Sequence, residues 1–331
     1  MTTPQSNRPL LEVEDLTVEF PTRRGTLTAV DGISFHINPG EVLGVVGESG
    51  AGKSVSGSAI IGLLDPPGRI AGGRIVLDGA RIDDLPDERL RRIRGRDIGV
   101  VFQDPLTSLN PLYTIARQLV ETIRTHTDLT AAQARSRAIE LLEEVGIPAA
   151  ARRIDDYPHR FSGGMRQRVV IALALCANPR LVIADEPTTA LDVSIQAQII
   201  AVLKRMCHDH DTAVMLITHD MGVIAETADR VAVMYAGRIV EVGPVRDIIT
   251  RPRHPYTVGL MGCIPQIGRQ VERLAQIDGA MPRLTEIPPG CPFNPRCADA
   301  GPDCRRLRPP PRLVDRSEVA CWLYDEVAAH G

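Results

Sequence analysis

The residues whose types and spacing most clearly indicate a chemical role form one glycine-rich segment. Its pattern is G-x-x-x-x-G-K-S, with a cation and a hydroxyl directly after the last glycine. Glycines let successive backbone N–H groups turn toward phosphate oxygens, Lys53 adds a positive charge, and Ser54 adds a hydroxyl for Mg²⁺. The alternative is a flexible glycine turn that caps a helix. We predict a site for a nucleoside triphosphate and Mg²⁺, formed by Gly47, Glu48, Ser49, Gly50, Ala51, Gly52, Lys53 and Ser54.

A second group of candidate residues is a pair of carboxylates after an apolar run. Residues 181–184 predict a buried strand, and Asp185 and Glu186 follow it directly. Ligands of α/β folds bind at the carboxyl edge of the sheet. We therefore expect Asp185 to hold Mg²⁺ through water and Glu186 to accept a proton from the water that attacks the γ-phosphate. A solvated pair of carboxylates at a strand end is the alternative.

The elements around these motifs predict an α/β fold with a parallel sheet. Short apolar runs predict strands, and two longer segments have helical composition and spacing. The phosphate-loop segment thus lies between a strand and a helix, as its chemistry requires. The predicted strands are residues 11–20, 33–37, 41–46, 180–184 and 213–218, and the predicted helical segments are residues 54–64 and 119–145.

Length, charge and composition narrow the class of protein. The chain has 331 residues, whereas single cores usually stop growing near ~250 to 300 residues, so one domain with an appendage is expected. A net charge of -3 argues against a general nucleic-acid binder. The N-terminus lacks an apolar signal region, and the longest apolar run, residues 169–177, is far shorter than the ~20 residues that span a bilayer. We therefore expect a soluble, cytosolic protein. Because the phosphate-loop motif occurs once, we also expect a single nucleotide-binding unit.

The last eighty residues have a different composition from the rest. They are rich in proline, which predicts a separate, loop-rich module with a small apolar core. In a reducing cytosol, crowded cysteines indicate a metal site more than disulfides, and a metal would stabilise such a small module. Free thiols or disulfides remain the alternative. The four crowded cysteines are Cys291, Cys297, Cys304 and Cys321.

A third motif lies in sequence between the phosphate loop and the carboxylate pair. Phe161 and Met165 enclose Ser162, Gly163 and Gly164, and the Ser-Gly-Gly sequence alone could simply cap a helix. In this order the three motifs resemble those of the ABC ATPase family, whose usual LSGGQ is here FSGGM. The resemblance implies a P-loop ABC ATPase domain with a parallel sheet core, an antiparallel β part and a helical subdomain.

The resemblance also implies roles for residues that spacing alone does not identify. Gln103 looks like the family's Q-loop glutamine, Asp192 like the aspartate of its D-loop, and His219 like its switch histidine. Gln103, Glu186 and His219 would then be catalytic, and Phe20 would stack on adenine. Taken singly, Gln103 could be a surface amide and His219 a histidine at a strand end. Phe20 could be a core phenylalanine. Family signatures bind the nucleotide of a partner cassette, so Ser162, Gly163 and Gly164 would complete a partner's site.

The C-terminal segment resembles that of dipeptide and oligopeptide importer ATPases. His254, Pro255 and Tyr256 carry this match, which continues through the cysteine-containing tail. The resemblance implies a nucleotide-binding domain over residues 8–250, with its helical subdomain at about 105–168, and a C-terminal extension over residues 251–331. The function implied is ATP hydrolysis that powers import of dipeptides or oligopeptides. Importers of nickel, glutathione or other small solutes share these cassettes and are the alternative, followed by a soluble ABC ATPase without a transport role.

Partners and cofactors follow from the same resemblance. A second ABC ATPase subunit, as a heterodimer, two membrane permease subunits and an extracytoplasmic substrate-binding protein are expected, with the chain peripheral at the cytoplasmic face of the inner membrane. No nucleic acid is expected. The four tail cysteines would bind a [4Fe–4S] cluster, with Zn²⁺ as the alternative, although their spacing matches neither ferredoxin runs nor paired zinc ligands.

Overall fold

A computed structural model describes residues 8–188, 192–263 and 276–325. The strands are β1 (Leu11–Thr22), β2 (Gly25–Ile37), β3 (Val42–Val46), β4 (Arg69–Leu77), β5 (Ala80–Arg81), β6 (Ile98–Val101), β7 (Leu181–Asp185), β8 (Ala213–Ile217), β9 (Arg230–Tyr235), β10 (Arg238–Pro244), β11 (Arg312–Val314) and β12 (Ser317–Val319). The helices are α1 (Lys53–Ile60), α2 (Asp87–Ile93), α3 (Pro105–Ser108), α4 (Ile115–His126), α5 (Ala131–Glu144), α6 (Ala150–Arg153), α7 (Gly163–Leu175), α8 (Val193–Asp209), α9 (Met221–Thr227), α10 (Val245–Thr250) and α11 (Pro255–Gly262).

The described residues divide into two compact units, each made of three stretches of chain. The first unit contains residues 8–12, 36–42 and 76–217, and the second contains residues 13–35, 43–75 and 218–325. The phosphate-loop segment lies in the second unit, and the carboxylate pair lies in the first.

Three neighbouring parallel strands, in the order β8-β7-β6, form the centre of the first unit. Leu181 lies opposite both Ile98 and Ala213. All of β8 and the first four residues of β7 are buried, as expected for parallel strands covered on both faces. Helix α7 packs closely on β6 at Gly99. A side chain there would clash with the helix, since its Cβ would lie 2.2 Å from the carbonyl oxygen of Ala174. The sheet therefore fixes the position of the chain that follows β7.

The segment of predicted helical spacing at residues 119–145 lies in two helices of the first unit, α4 and α5. Helix α4 ends at His126, and Thr127 adopts an extended backbone. Thr130 then starts α5 with a capping box. Its hydroxyl accepts from the N–H of Gln133, and the Gln133 side-chain oxygen accepts from the N–H of Thr130. The predicted helical character of the segment is present, and these capping residues divide it into two helices.

The second unit contains strands of two sheets. Strands β2, β1 and β4 are neighbours in that order in one sheet, and β11, β12, β10, β9 and β3 are neighbours in that order in the other. Strand β3 is parallel to β9, whereas β9, β10, β12 and β11 pair antiparallel. The C-terminal segment predicted to be loop-rich thus adds two short strands to this sheet, with Val319 opposite Glu241.

The segment that begins α11 is buried and tied to β10. Glu241 is 1% exposed, and its carboxylate accepts from the backbone N–H groups of Arg253 and His254 at 2.9 Å each. His254 caps α11, because its Nδ1 accepts from the N–H of Tyr256 at 3.1 Å. The His254–Tyr256 segment, which carries the family resemblance, therefore connects β10 to the C-terminal extension through hydrogen bonds.

Burial of His254 predicts a loss of stability in acid. The side chain is 1% exposed, and burial lowers its pKa from 6.5 to about 3. The folded state keeps the ring neutral while the unfolded chain is protonated below pH 6.5, so stability falls as the pH drops from 6.5 toward 3. We expect His254→Asn, which can still cap α11, to lose less free energy of unfolding on acidification, by up to about 1.4 kcal/mol per pH unit.

Urea unfolding at pH 7.5, 6.5 and 5.5 measures this difference. Burial also raises the pKa of Glu241, which has the opposite effect on acid stability, but that contribution is common to both proteins and cancels in the comparison. His208→Asn is the control, since the His208 side chain is 89% exposed. Equal acid sensitivity of wild type and His254→Asn would contradict the prediction.

Candidate functional site

The predicted phosphate loop lies between β3 and α1, as the sequence indicated. It starts at Gly47, where φ is +152° and a Cβ would lie 2.2 Å from the carbonyl oxygen of Met234. It ends at Gly52, the N-cap of α1, where φ is +100° and a Cβ would lie 2.8 Å from the carbonyl oxygen of Ala29. Both positions require glycine for conformation and for space. The loop can therefore approach β9 and β2 closely and leads directly into the helix N-terminus.

Lys53 is buried at the first position of α1. Its Nζ donates to the carbonyl oxygens of Gly47 at 2.8 Å and Glu48 at 3.0 Å, so the loop curls around the ammonium group. Ser54 follows on the same helix and is exposed. A cation inside a ring of loop backbone, next to a helix N-terminus, is suited to bind phosphate oxygens. The described geometry fits the predicted chemistry of Lys53.

The carboxylate edge of the first unit brings two predicted catalytic residues together. Strand β7 ends at Asp185, and Glu186 follows with φ at +46°, a left-handed conformation that is uncommon for a residue with a side chain. Its N–H donates to the carbonyl oxygen of Ile217 on β8 at 2.8 Å. Gln103, just after β6, donates from Nε2 to Glu186 Oε2 at 2.9 Å. The Glu186 carboxylate is thus oriented by an amide from the segment that follows the neighbouring strand β6.

The signature segment forms the N-terminus of α7. Ser162 is the N-cap, and its hydroxyl accepts from the N–H of Met165 at 3.4 Å. Ser162 and Gly163 are exposed, whereas Phe161 is 2% exposed and anchors the segment in the core. A Cβ at Gly164 would lie 2.8 Å from the Ile195 side chain. The segment therefore caps a helix, as the simpler interpretation held, and also presents its Ser-Gly pair to solvent.

The remaining predicted nucleotide residues lie on β1, directly after β8 and at the start of α8. His219 follows β8 in an exposed position, and Asp220 beside it caps α9. The Phe20 ring, near the end of β1, lies against Gly68, where a Cβ would be 2.6 Å away. Asp192 is exposed at the N-cap of α8, and Ala190 and Leu191, which precede it, lie outside the described residues. The roles assigned to these side chains remain predictions.

The four tail cysteines converge within the second unit. The N–H of Cys291 donates to the carbonyl oxygen of Cys304 at 2.8 Å. Burial raises the pKa of the Cys291 and Cys321 thiols to about 11 each, and the neighbouring thiols contribute to that rise. None of the chain's cysteines, all of which are described, forms a disulfide. Within the described residues, however, no group of three or more His, Cys, Asp or Glu side chains is placed to hold a metal ion, so neither [4Fe–4S] nor zinc is supported by the geometry.

The structure also places two residues at the phosphate loop that sequence reasoning missed. The Tyr256 hydroxyl accepts from the N–H of Glu48 at 3.0 Å, and Arg296 pairs with the Glu48 carboxylate at 2.9 Å. In the sequence, Tyr256 carries part of the family resemblance, whereas Arg296 has no signal beyond its position next to Cys297. The helices in the described part of the chain include none that is long and apolar enough to cross a membrane.

Comparisons with known proteins confirm the family resemblance and the fold. The chain matches the family model described as ABC transporter over residues 30–189 and the one described as oligopeptide/dipeptide transporter, C-terminal region, over residues 240–304. A dipeptide transport ATP-binding protein of Bacillus subtilis (strain 168) is 47% identical over 323 residues, which cover 97% of this chain and 96% of the relative. A peptide import ATP-binding protein of Brucella abortus (strain 2308) is 49% identical over 309 residues, 93% of each chain.

Solved structures agree with the sequence relatives. The ATP-binding cassette MJ0796, in a dimeric post-hydrolysis state bound to ADP and Pi, is 28% identical with a TM-score of 0.64, and the match covers 71% of this chain and 99% of that one. CbiO1 of Clostridium perfringens, part of the ABC transporter complex cbiONQ, is 29% identical with a TM-score of 0.63, over 76% of this chain and 95% of that one. The chain therefore belongs to the ABC transporter family, among the ATP-binding subunits that carry the oligopeptide/dipeptide transporter C-terminal region.

Proposed function

We propose that this chain binds and hydrolyses ATP to power the import of dipeptides or oligopeptides across the cytoplasmic membrane. The observation that carries the proposal is the near full-length similarity to a dipeptide transport and a peptide import ATP-binding protein, together with the matching C-terminal region. The phosphate loop with its buried Lys53 and the oriented Glu186 carboxylate supply the groups that ATP hydrolysis needs. The nucleotide-binding domain would span residues 8–250 and the extension residues 251–331.

Each site residue has a proposed role toward ATP and Mg²⁺. Lys53 and the N–H groups of the loop bind the phosphates, and Ser54 and Asp185 hold Mg²⁺, Asp185 through water. Glu186 accepts a proton from the attacking water while Gln103 orients its carboxylate. His219 contacts the γ-phosphate, and Phe20 stacks on adenine. Asp192 belongs to the family's D-loop.

Catalysis is proposed to need a second cassette. Ser162 and the two glycines after it lie at an accessible helix N-terminus, which suits an anionic ligand held by another subunit. The MJ0796 cassette described above is dimeric. We propose a heterodimer with a second ABC ATPase subunit, beneath two permease subunits that receive substrate from an extracytoplasmic binding protein. The chain would then act at the cytoplasmic face of the inner membrane.

The isolated subunit should therefore hydrolyse ATP slowly. If a partner's signature segment completes the site, a monomer lacks part of the machinery that stabilises the transition state. We expect the turnover of a monomeric sample to be at least ~10²-fold below that of the assembled transporter, by analogy with the loss of one stabilising donor. ATPase assays at concentrations verified as monomeric measure this, with Glu186→Gln as the background control. Full activity in a monomer would contradict the requirement for a partner.

Uptake in cells tests the transport function. A strain that lacks this gene should lose uptake of radiolabelled peptide, and the wild-type gene but not Glu186→Gln should restore it. Dipeptides, tetrapeptides, Ni²⁺ and glutathione are supplied in separate assays, so that a related importer would be recognised by its substrate. Permease subunits should co-purify with the chain in detergent. Unchanged uptake of all four substrates and no co-purifying permease would support a soluble ABC ATPase instead.

We also propose that the four tail cysteines bind a [4Fe–4S] cluster. The support is the crowding of four free thiols in the C-terminal segment, whose cysteine pattern resembles that of peptide-importer ATPases; the described side-chain positions do not themselves form a metal site. Anaerobic purification followed by iron, sulfide and zinc analysis tests this, with Cys297→Ser as the variant and Cys263→Ser, whose thiol lies outside the group, as the control. We expect iron and sulfide in wild type and control and a loss in Cys297→Ser. Zinc without iron would indicate the alternative metal, and absence of both would reject a metal site.

A further inference from the structure

One residue of the phosphate loop, Glu48, is bound by the C-terminal extension at two points. Its N–H donates to the Tyr256 hydroxyl at 3.0 Å, and its carboxylate oxygens accept from Arg296 Nη1 at 2.9 and 3.1 Å. The carbonyl oxygen of the same residue accepts from Lys53 Nζ at 3.0 Å. Glu48 thus links the lysine of the loop to two side chains that lie more than two hundred positions away in sequence.

Arg296 is held in a fixed orientation toward Glu48. Its side chain is only 7% exposed, and its remaining donors are used within the extension. Nε donates to the carbonyl oxygen of Asp278 at 2.9 Å, and Nη2 donates to that of Ile277 at 3.2 Å. A planar guanidinium with several fixed acceptors loses little freedom when it pairs with a carboxylate. The extension therefore presents a preorganised cation to the loop.

Aromatic packing supports the second contact. The Tyr256 ring lies 4.7 Å from that of Tyr235 on β9 and 5.4 Å from that of Phe293 in the extension, measured between centroids. Tyr256 is fully buried, so its hydroxyl is a well-positioned partner for the Glu48 N–H. Met281 also lies against the loop, because a Cβ at Gly50 would be 3.0 Å from its methyl group. The extension therefore contacts the loop through packing as well as hydrogen bonds.

We propose that Tyr256 and Arg296 are positioning residues for the phosphate loop, and that the C-terminal extension sets nucleotide affinity through Glu48. The inference rests on nucleotide binding by this loop. When both contacts are intact, the carbonyl groups of Gly47 and Glu48 stay fixed around Lys53, and the N–H groups of the loop are already oriented toward the phosphates. When a contact is removed, only part of the population has the competent loop, and the apparent affinity falls by that fraction.

Nucleotide affinity of four variants tests the proposal. Arg296→Gln, Glu48→Gln and their combination remove the ion pair from either side, and Tyr256→Phe removes only the hydroxyl. We expect the Kd for a fluorescent ATP analogue with Mg²⁺ to rise ~10-fold in each single variant, within the usual range for coupling between sites. The double variant should be no weaker than either single one, because both remove the same interaction. In the assembled transporter KM should rise while kcat changes little.

A matched control separates this role from general stabilisation. Arg316→Gln also removes an ion pair of the extension, to Asp247 at 2.8 Å, and should leave the Kd unchanged. Thermal unfolding is measured for every variant, and a lower melting temperature with an unchanged Kd would reject the proposal. Glu48→Gln and Tyr256→Phe keep side-chain size, so at least these two are expected to fold. A wild-type chain that binds no nucleotide would instead reject the ATPase function on which the inference rests.

Discussion

Replacement of Glu186 by glutamine is expected to abolish most ATP turnover while leaving ATP binding intact. The amide has the size of the carboxylate but cannot accept the proton of the attacking water, and the loss of a general base typically costs ~10² to 10⁴ in rate. Gln103 donates to Glu186 Oε2 at 2.9 Å, and the carbonyl oxygen of a glutamine can accept the same bond. The geometry should therefore survive, so that the change reports on proton transfer alone.

Steady-state ATPase activity of the assembled transporter measures this effect. ATP binding is followed in parallel, and the bound nucleotide is expected to remain unhydrolysed in the variant. Glu143→Gln is the matched control, since it makes the same chemical change at an exposed position of α5 in the same unit. Near-normal turnover in Glu186→Gln would remove Glu186 from the role of general base.

Replacement of Lys53 by alanine should act earlier, at nucleotide binding. The Lys53 ammonium lies within the loop, bonded to the carbonyl oxygens of Gly47 and Glu48, and we propose that it binds the phosphates from there. A hydrogen bond to a charged group contributes about 1.5 to 3 kcal/mol, which corresponds to a loss of roughly 10- to 150-fold in affinity. We expect at least that loss, because the variant also removes the cation around which the loop curls.

The Kd for ATP with Mg²⁺, determined by titration calorimetry, measures this prediction. Lys204→Ala is a well-matched control, because Lys204 is the only other lysine in the chain and is exposed on α8. Circular dichroism spectra of both variants should show a folded protein. Undiminished affinity in Lys53→Ala would mean that the loop binds phosphate without its lysine.

The sequence was sufficient to predict the phosphate loop and the carboxylate edge because their chemistry depends on local order. Gly47 and Gly52 allow backbone geometry that a side chain would block, and this requirement is visible in sequence as a glycine spacing. Asp185 and Glu186 follow an apolar run, and parallel strands place such residues at the carboxyl edge of a sheet. These motifs could therefore be interpreted before any tertiary contact was known.

Contacts that depend on distant residues could not be predicted. Arg296 meets Glu48 across 248 positions, and nothing in the composition around Arg296 distinguishes it from the other arginines of the tail. The pairing of β12 with β10 likewise joins short segments whose strand signal is weak. The interruption between α4 and α5 depends on capping by Thr130. The apolar periodicity of residues 119–145 continues across this position and gives no sign of the break. Tertiary packing decides each of these features.

The pairing of β12 with β10 has a consequence for the tendency of the protein to self-associate. Strand β10 has β9 on one side and β12 on the other, so its backbone N–H and C=O groups are shielded from other molecules. On the β12 side, the described edge strand is β11, which has only three residues and begins with Arg312. Such short, charged edges discourage intermolecular strand pairing. A chain shortened before residue 312 would expose the β10 edge, and its tendency to self-associate should then rise with protein concentration.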